Sequence, residues 1–330
     1  MKAILFAGTH KTGTSTLQHV FSLMSGDLLK RSILYPEVVQ NVTKTKGNHT
    51  PLINAISENT AAGKRMLKFI ANGMRNSGTT NLILSAENLS NKDESQLNVI
   101  KHELLRIGIE EIKVVVYVRN YLDWVNSITA TRIAGRLSHH KSLELILKDL
   151  FSNETKLSQR LQNLENVFSK LHNENYDQHI EDGTLLKSAF AHIGANFSLA
   201  AYEKLNLNTR ASMLLCRFVN FLIQHESPKI VNMNVNSKYQ NEINKLRNML
   251  VFRDKFRLYR EELYEFQQEI IDEGKFISSI QNISQNFSIL NFEKFKKLEV
   301  VNDDIDHLLS FCGNKYQASK TKFVATHIEA

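Results

Sequence analysis

The stretch Ile4 to Gln18, "ILFAGTHKTGTSTLQ", constrains the fold more than any other part of the chain. Lys2 to Ala7 is a short apolar run with branched residues, ended by a glycine, which is the pattern of a buried strand. Past the loop, Leu17, Val20, Phe21 and Met24 recur at i, i+3, i+4 and i+7, the stripe of an amphipathic helix. The chain therefore opens as strand, glycine-containing loop and helix. "NLILSA" (Asn81 to Ala86) and "IKVVVYV" (Ile112 to Val118) are continuous apolar runs, as parallel strands covered on both faces require. "NFSLAAY" (Asn196 to Tyr202) is a fourth strand candidate, and helical patterns such as "ESQLNVIKHELLRIG" lie between the strands. Strands alternating with helices imply an α/β fold around a mostly parallel sheet.

The loop narrows the reading further. A Walker loop has the form G-x-x-x-x-G-K-[ST], and Gly8, Gly13 and Ser15 fill three of its positions, but Thr14 stands where the lysine belongs. The lysine comes three residues earlier, as Lys11. Backbone amides at a helix N-terminus still make an anion cradle, so a phosphate is the natural occupant. With its cation displaced, the loop is poorly suited to gripping the β and γ phosphates of ATP. Lys11 on the near side suits a bridging or leaving oxygen beside a single phosphate. The fold class expected is thus α/β, a central, mostly parallel sheet with a P-loop-like strand, loop and helix, flanked by helices.

From Arg210 to Gln224 and from Gln240 to Asp272 the chain reads as helix, with Pro228 marking a break. No Gly/Pro/Ser-rich linker divides the sequence, so residues 1–330 are expected to form one α/β domain, with 210–330 its largely helical elaboration. The longest apolar runs are too short to span a bilayer. The N-terminus turns to glycine and polar residues where a signal peptide would stay hydrophobic, so a cytoplasmic protein is expected. Cys216 and Cys312 are the only cysteines, which argues against a disulfide framework or a cysteine-rich metal site and for two core thiols. A net charge of +7 favours anionic partners. Nucleic acid is not expected among them, because the basic residues lack interleaved aromatics or a recognised module.

"GTHKTGTSTLQ" resembles the 5′-phosphosulfate-binding loop of sulfotransferases that use 3′-phosphoadenosine 5′-phosphosulfate (PAPS), especially bacterial members with a G-x-H-K-T-G-T-[ST] loop. A second element agrees. In "KVVVYVRNYLDWVNSIT" Arg119 ends a strand candidate and Ser127 follows eight positions later, the spacing with which the family holds the 3′-phosphate. An arginine fork matches a phosphate bidentately, and a helical serine adds a neutral donor. The resemblance implies sulfuryl transfer from PAPS to a hydroxyl or amine, leaving adenosine 3′,5′-bisphosphate, with no metal required. It implies that Lys11, Thr12, Gly13, Thr14, Ser15 and Thr16 hold the 5′-phosphate, that Lys11 also assists the leaving oxygen, and that Arg119 and Ser127 hold the 3′-phosphate. In the family a strand runs into a Tyr-Glu pair with the tyrosine near the adenine; "FSLAAYEKLN" puts Tyr202 there, where it contacts the base or satisfies a core hydrogen bond. The Arg-Lys-Gly segment of cytosolic members is not found.

An acceptor hydroxyl also needs a general base. The resemblance offers Glu87, after the strand candidate "LILSA", or His49 in "KGNHTPL". His10 shapes the loop or contacts substrate. The run "TRIAGRLSHHK", with Arg132, Arg136, His139 and His140, suits either an acidic sugar chain or a solvated helix face. The expected acceptor is a saccharide or glycolipid, acidic or not, and peripheral contact with a membrane surface stays open. Two other classes remain: a P-loop kinase or NTPase, disfavoured by Thr14 and by Arg119 where a magnesium-holding Asp would stand, and a non-catalytic nucleotide-binding protein.

Overall fold

A computed structural model describes residues 1–37, 47–134, 142–152, 156–194, 197, 199, 202, 216, 258 and 260–281. Its first elements are β1 (Lys2–Phe6), α1 (Thr14–Leu23), α2 (Ser25–Leu29), β2 (Ile33–Leu34), α3 (Thr50–Ser57), α4 (Ala61–Ser77) and β3 (Asn81–Ser85). A 3-10 turn (Glu87–Asn91), α5 (Glu94–Arg106), β4 (Glu111–Val118), α6 (Tyr121–Ala134), α7 (Leu143–Ser152) and α8 (Leu157–Phe168) follow. Then come β5 (Leu171–Asn175), α9 (Tyr176–Glu181), α10 (Leu185–Ile193), α11 (Arg260–Leu263), a second 3-10 turn (Tyr264–Phe266) and α12 (Gln267–Gln281). These fall into two units. One is drawn from Met1–Asn120, Thr155–Asn208 and Lys275–Gln285, the other from Tyr121–Glu154, Thr209–Gly274 and Asn286–Ala330.

The first unit is an α/β layer structure around a five-stranded parallel sheet of order β2-β3-β1-β4-β5. The three strands expected from apolar runs form its centre, each within a residue of the expected bounds. They are β1, β3 and β4, buried along most of their length because helices cover both faces. Phe6 stands opposite Ser85 on one side and Val115 on the other, so the loops after β1, β3 and β4 emerge at one end of the sheet. The stripe on α1 meets the sheet as its spacing requires, with Leu17, Val20 and Phe21 buried and Met24 buried at its C-cap. Phe21 packs against Phe6, Tyr35 and Phe190 at ring separations of 5.2, 5.5 and 5.3 Å. Each such ring contributes about 1.5–3 kcal/mol by leaving water.

The helix ends follow local chemistry. Thr60 caps α4 by accepting from the Gly63 N–H, and Gly78 ends it in the left-handed region. Asp93 and Gln96 form a capping box on α5.

The fourth strand is not where the apolar run lies. In "NFSLAAY" the described residues Phe197, Leu199 and Tyr202 are irregular or in a turn, and the others lie outside the described residues. The outer strands are β2 and β5, and β5 reads "LHNEN". Its residues are half-buried or exposed, so no apolar pattern marks it; ladder pairing with β4, Val114 opposite Leu171 through Val118 opposite Asn175, makes it a strand.

In the second unit, the Phe151 and Phe266 rings stack at 4.3 Å, and Asn126 Oδ1 of α6 accepts from the Leu258 N–H at 2.8 Å. Cys216 is helical and buried, its thiol 3.9 Å from Ala130 O; Cys312 lies outside the described residues. The helical reading of the C-terminal region holds at Cys216 and over Arg260–Gln281 apart from the 3-10 turn; Leu258 is not helical, and the rest of that prediction lies outside the described residues. No described helix is long and apolar enough to cross a membrane.

Candidate active site

β3 and β4 flank β1 on opposite sides, so the chain crosses over β1 between them. In open α/β sheets that switch point, at the carboxyl ends of the strands, is where ligands sit. The loops that emerge there carry the residues singled out in the sequence.

The β1–α1 loop is held open by its backbone. His10, Lys11 and Gly13 have φ of 33°, 64° and 74°, a left-handed run that curls the chain back on itself. Gly8 is needed because a Cβ there would stand 2.1 Å from Thr14 Oγ1. Thr9 Oγ1 donates to Tyr117 O at 3.0 Å, tying the loop to β4. Gly13 is the N-cap of α1 and offers no side-chain cap. Its carbonyl accepts from Thr16 and Leu17, so the N–H groups of Thr14 and Ser15 precede the first intrahelical bond. Thr12 Oγ1 is buried with no hydrogen-bond partner among the described residues. A buried hydroxyl and helix-start amides with no acceptor among the described residues suit a phosphate group. These residues, together with Lys11 and Thr16, are the ones the sequence resemblance assigned to the 5′-phosphate.

The turn after β3 packs on the same loop. Ser90 Oγ donates to Gly8 O at 2.8 Å. Glu87 Oε1 lies 3.2 Å from His10 Nδ1 and accepts the Lys11 N–H at 3.3 Å. Burial, the largest single influence, pushes the Glu87 carboxyl up, but the His10 hydrogen bond and the charges of His10 and Lys11 together hold it below the usual carboxylate range. Glu87 is thus ionised at neutral pH, and Oε2 has no partner among the described residues.

His49 is a different kind of residue. Its ring is fully buried, Nδ1 accepts the Ser85 N–H at 2.9 Å and Nε2 donates to Pro36 O at 2.8 Å. Both ring nitrogens are engaged, so the ring ties the end of β3 to the segment after β2 and has no lone pair left for an acceptor's proton. Burial pushes its pKa down to about 4.

Arg119 follows β4 directly and is buried. Its Nε lies 3.2 Å from Asp177 Oδ1, an ion-pair distance without hydrogen-bond geometry, so the buried Nε–H has no hydrogen-bond partner among the described residues. Asp177 Oδ2 accepts the Asn120 N–H at 2.7 Å, and the Arg119 guanidinium lies 5.6 Å from the centre of the Tyr176 ring. Tyr176 also abuts the β1–α1 loop, since a Cβ on Gly13 would meet its ring at 3.0 Å. Sequence reasoning missed Tyr176 and Asp177. The strand that runs into a tyrosine–acid pair is β5, in "LHNENYD"; the polar strand hid it, although the pair itself is visible there. Tyr202 instead lies in a turn and packs, partly buried, against the core. Ser127 lies half-buried on α6 in the second unit. Arg132 is half-buried, and Arg136, His139 and His140 lie outside the described residues. Among the described residues no group of three or more His, Cys, Asp or Glu side chains is placed to hold a metal ion.

The fold is an α/β parallel sheet flanked by helices, with the strand, glycine-containing loop and helix of its N-terminus at the switch point. No protein-family model and no curated protein matches the chain. A solved structure described as "Sulfotransferase Domain from the Curacin Biosynthetic Pathway" is similar over 87% of this chain and 99% of its own, at 11% identity and a TM-score of 0.39.

Proposed function

We propose that this protein is a PAPS-dependent sulfotransferase that acts in the cytoplasm on a hydroxyl, or an amine, of a saccharide or glycolipid. One observation carries the reading: a phosphate-type loop with its lysine displaced to position 11 and a buried arginine whose Nε–H has no acceptor among the described residues stand at the carboxyl ends of neighbouring strands. Two separate anion sites fit a donor with a 5′-phosphosulfate and a 3′-phosphate better than a triphosphate. PAPS, when bound, supplies an electrophilic sulfur joined through an oxygen to its 5′-phosphate.

The chain's own residues do the rest. The Thr12 hydroxyl and the amides of Gly13, Thr14 and Ser15 hold the 5′-phosphate, with Thr16 beside them. Arg119 binds the 3′-phosphate in place of its contact with Asp177. Tyr176, rather than Tyr202, is proposed beside the adenine, because it adjoins both the loop and Arg119. Lys11 stabilises the negative charge that gathers on the departing phosphate oxygen as the sulfur–oxygen bond breaks. Glu87 takes the acceptor's proton at Oε2, and its lowered pKa keeps it in the basic form at neutral pH.

The test uses labelled PAPS and an acceptor panel with Glu87→Gln and His49→Ala beside the wild type. Glu87→Gln is expected to lose roughly 10²–10⁴ in turnover while still binding adenosine 3′,5′-bisphosphate. His49→Ala orphans the Ser85 N–H and the Pro36 carbonyl, so it is expected to lose stability on the order of 3 kcal/mol and to keep turnover per folded molecule. The His49 ring is held neutral with its pKa at about 4 against about 6.5 unfolded. The stability linked to it is therefore full above about pH 6.5 and is lost as pH falls through about 4. Loss of turnover in folded His49→Ala alone, with Glu87→Gln active, would reverse the assignment of the base.

A further inference from the structure

His10 stands between two side chains of the turn after β3, and the chemistry of the chain behind it decides where its proton sits. Its Nδ1 lies 3.2 Å from Glu87 Oε1 and its Nε2 lies 2.9 Å from Asn91 Nδ2. Asn91 Oδ1 in turn accepts from Arg160 at 2.6 Å. Arg160 comes from α8 and is buried, 6% exposed. A guanidinium has only donors, so the amide atom that faces it must be the oxygen. The asparagine NH2 then necessarily faces His10, and Nε2 must accept. In the neutral ring the proton is therefore on Nδ1, where it points at Glu87 Oε1. Free neutral imidazole side chains favour the opposite tautomer, so the arrangement overrides the intrinsic preference.

We propose that Arg160 and Asn91 are positioning residues that lock His10 in its Nδ1–H tautomer, so that His10 and the Lys11 amide occupy Glu87 Oε1 and leave Oε2 as the oxygen presented to the acceptor. The opposite tautomer would set the Nδ1 lone pair against a carboxylate, and Glu87 would turn away from the loop. His10 is thereby a link between the phosphate loop and the base. The inference rests on the sulfotransferase reading only in calling Glu87 the base; the lock itself is a statement about protons in the unliganded chain.

The experiment is long-range ¹H–¹⁵N correlation of the histidine rings in the full-length protein, with the His10 signals assigned by their loss in His10→Gln. The spectra are recorded at a pH where the ring carries a single proton. The wild type is expected to show a protonated Nδ1 and an unprotonated Nε2. Asn91→Asp keeps the shape but gives Arg160 one oxygen and His10 another, so the single proton is expected to move to Nε2. Arg160→Lys retains a donor toward Asn91 and is expected to keep the Nδ1–H form. In turnover at that pH, Asn91→Asp is expected to lower kcat roughly tenfold, with KM for PAPS unchanged. A wild-type Nε2–H ring, or a singly protonated Asn91→Asp ring that keeps Nδ1–H, overturns the lock. A switched tautomer with kcat unmoved overturns its role in positioning Glu87. Should no variant and no wild type transfer sulfuryl groups, the sulfotransferase reading fails, and the spectra decide the lock without it.

Discussion

Replacing Lys11 by Ala is expected to lower turnover about 10²–10³-fold while adenosine 3′,5′-bisphosphate binds almost as tightly as before. In the proposed reaction the charge that Lys11 meets is small in the bound donor and large in the transition state, and only an interaction stronger in the transition state raises kcat. The same proposal anchors the phosphate on backbone amides at the start of α1 and on Thr12, none of which the substitution touches. Lys and Ala both carry a Cβ, so the left-handed backbone at φ 64° is no more strained than before, and the backbone N–H still reaches Glu87. One secondary effect has a definite sign: the Lys11 charge helps to lower the Glu87 carboxyl, so the acid limb of the rate profile should rise slightly. Single-turnover rates beside calorimetric affinities separate the two quantities. Equal losses in both would make Lys11 an anchor rather than an aid to departure.

The second large effect concerns Arg119, and it should fall on affinity. Its guanidinium is buried beside Asp177 with an Nε–H that finds no hydrogen-bond acceptor among the described residues. A phosphate supplies the acceptor geometry that Asp177 does not. Arg119→Met removes the fork and keeps much of the apolar stem that lies near Tyr176. Charge-assisted, desolvated contacts of this kind contribute about 2–5 kcal/mol when one partner is truncated. The affinity for adenosine 3′,5′-bisphosphate should therefore fall on the order of 10²-fold. Adenosine 5′-monophosphate, which lacks the 3′ group, should bind the variant and the wild type alike. The ratio of the two ligands' affinities is the readout, because general damage to the fold lowers both. Arg119→Lys keeps the charge and loses the fork, and should fall between. A ratio that Arg119→Met leaves unchanged removes the 3′-phosphate from this residue.

Much of this was legible in the sequence where burial writes a pattern. Three central strands were visible because both faces are covered, which leaves unbroken apolar runs, and α1 was visible because one face meets the core. β5 was not, because an edge strand made of "LHNEN" owes its extension to pairing with β4 and carries polar residues on both faces. With β5 unread, the tyrosine–acid pair that directly follows it, Tyr176 and Asp177, went unread as well. The loop, Lys11, Glu87 and Arg119 were legible as residue types at fixed distances from strand ends. The two readings of His49 could not be separated in sequence, since a buried bridging histidine and a catalytic one have the same spelling. In the structure its ring joins Ser85 and Pro36 through both nitrogens. The link from Arg160 through Asn91 to His10 left no trace at all, because three separate segments meet there and no periodicity joins them.

The central claim is that a displaced lysine and a buried arginine mark a site for a 3′-phosphorylated donor rather than for a triphosphate. Isothermal calorimetry with the full-length protein tests it most directly, comparing adenosine 3′,5′-bisphosphate with ATP and magnesium under one buffer. The account predicts saturable binding of the bisphosphate at least about 10²-fold tighter than that of magnesium ATP. Tighter binding of magnesium ATP would contradict it and return the loop to the kinase and NTPase reading.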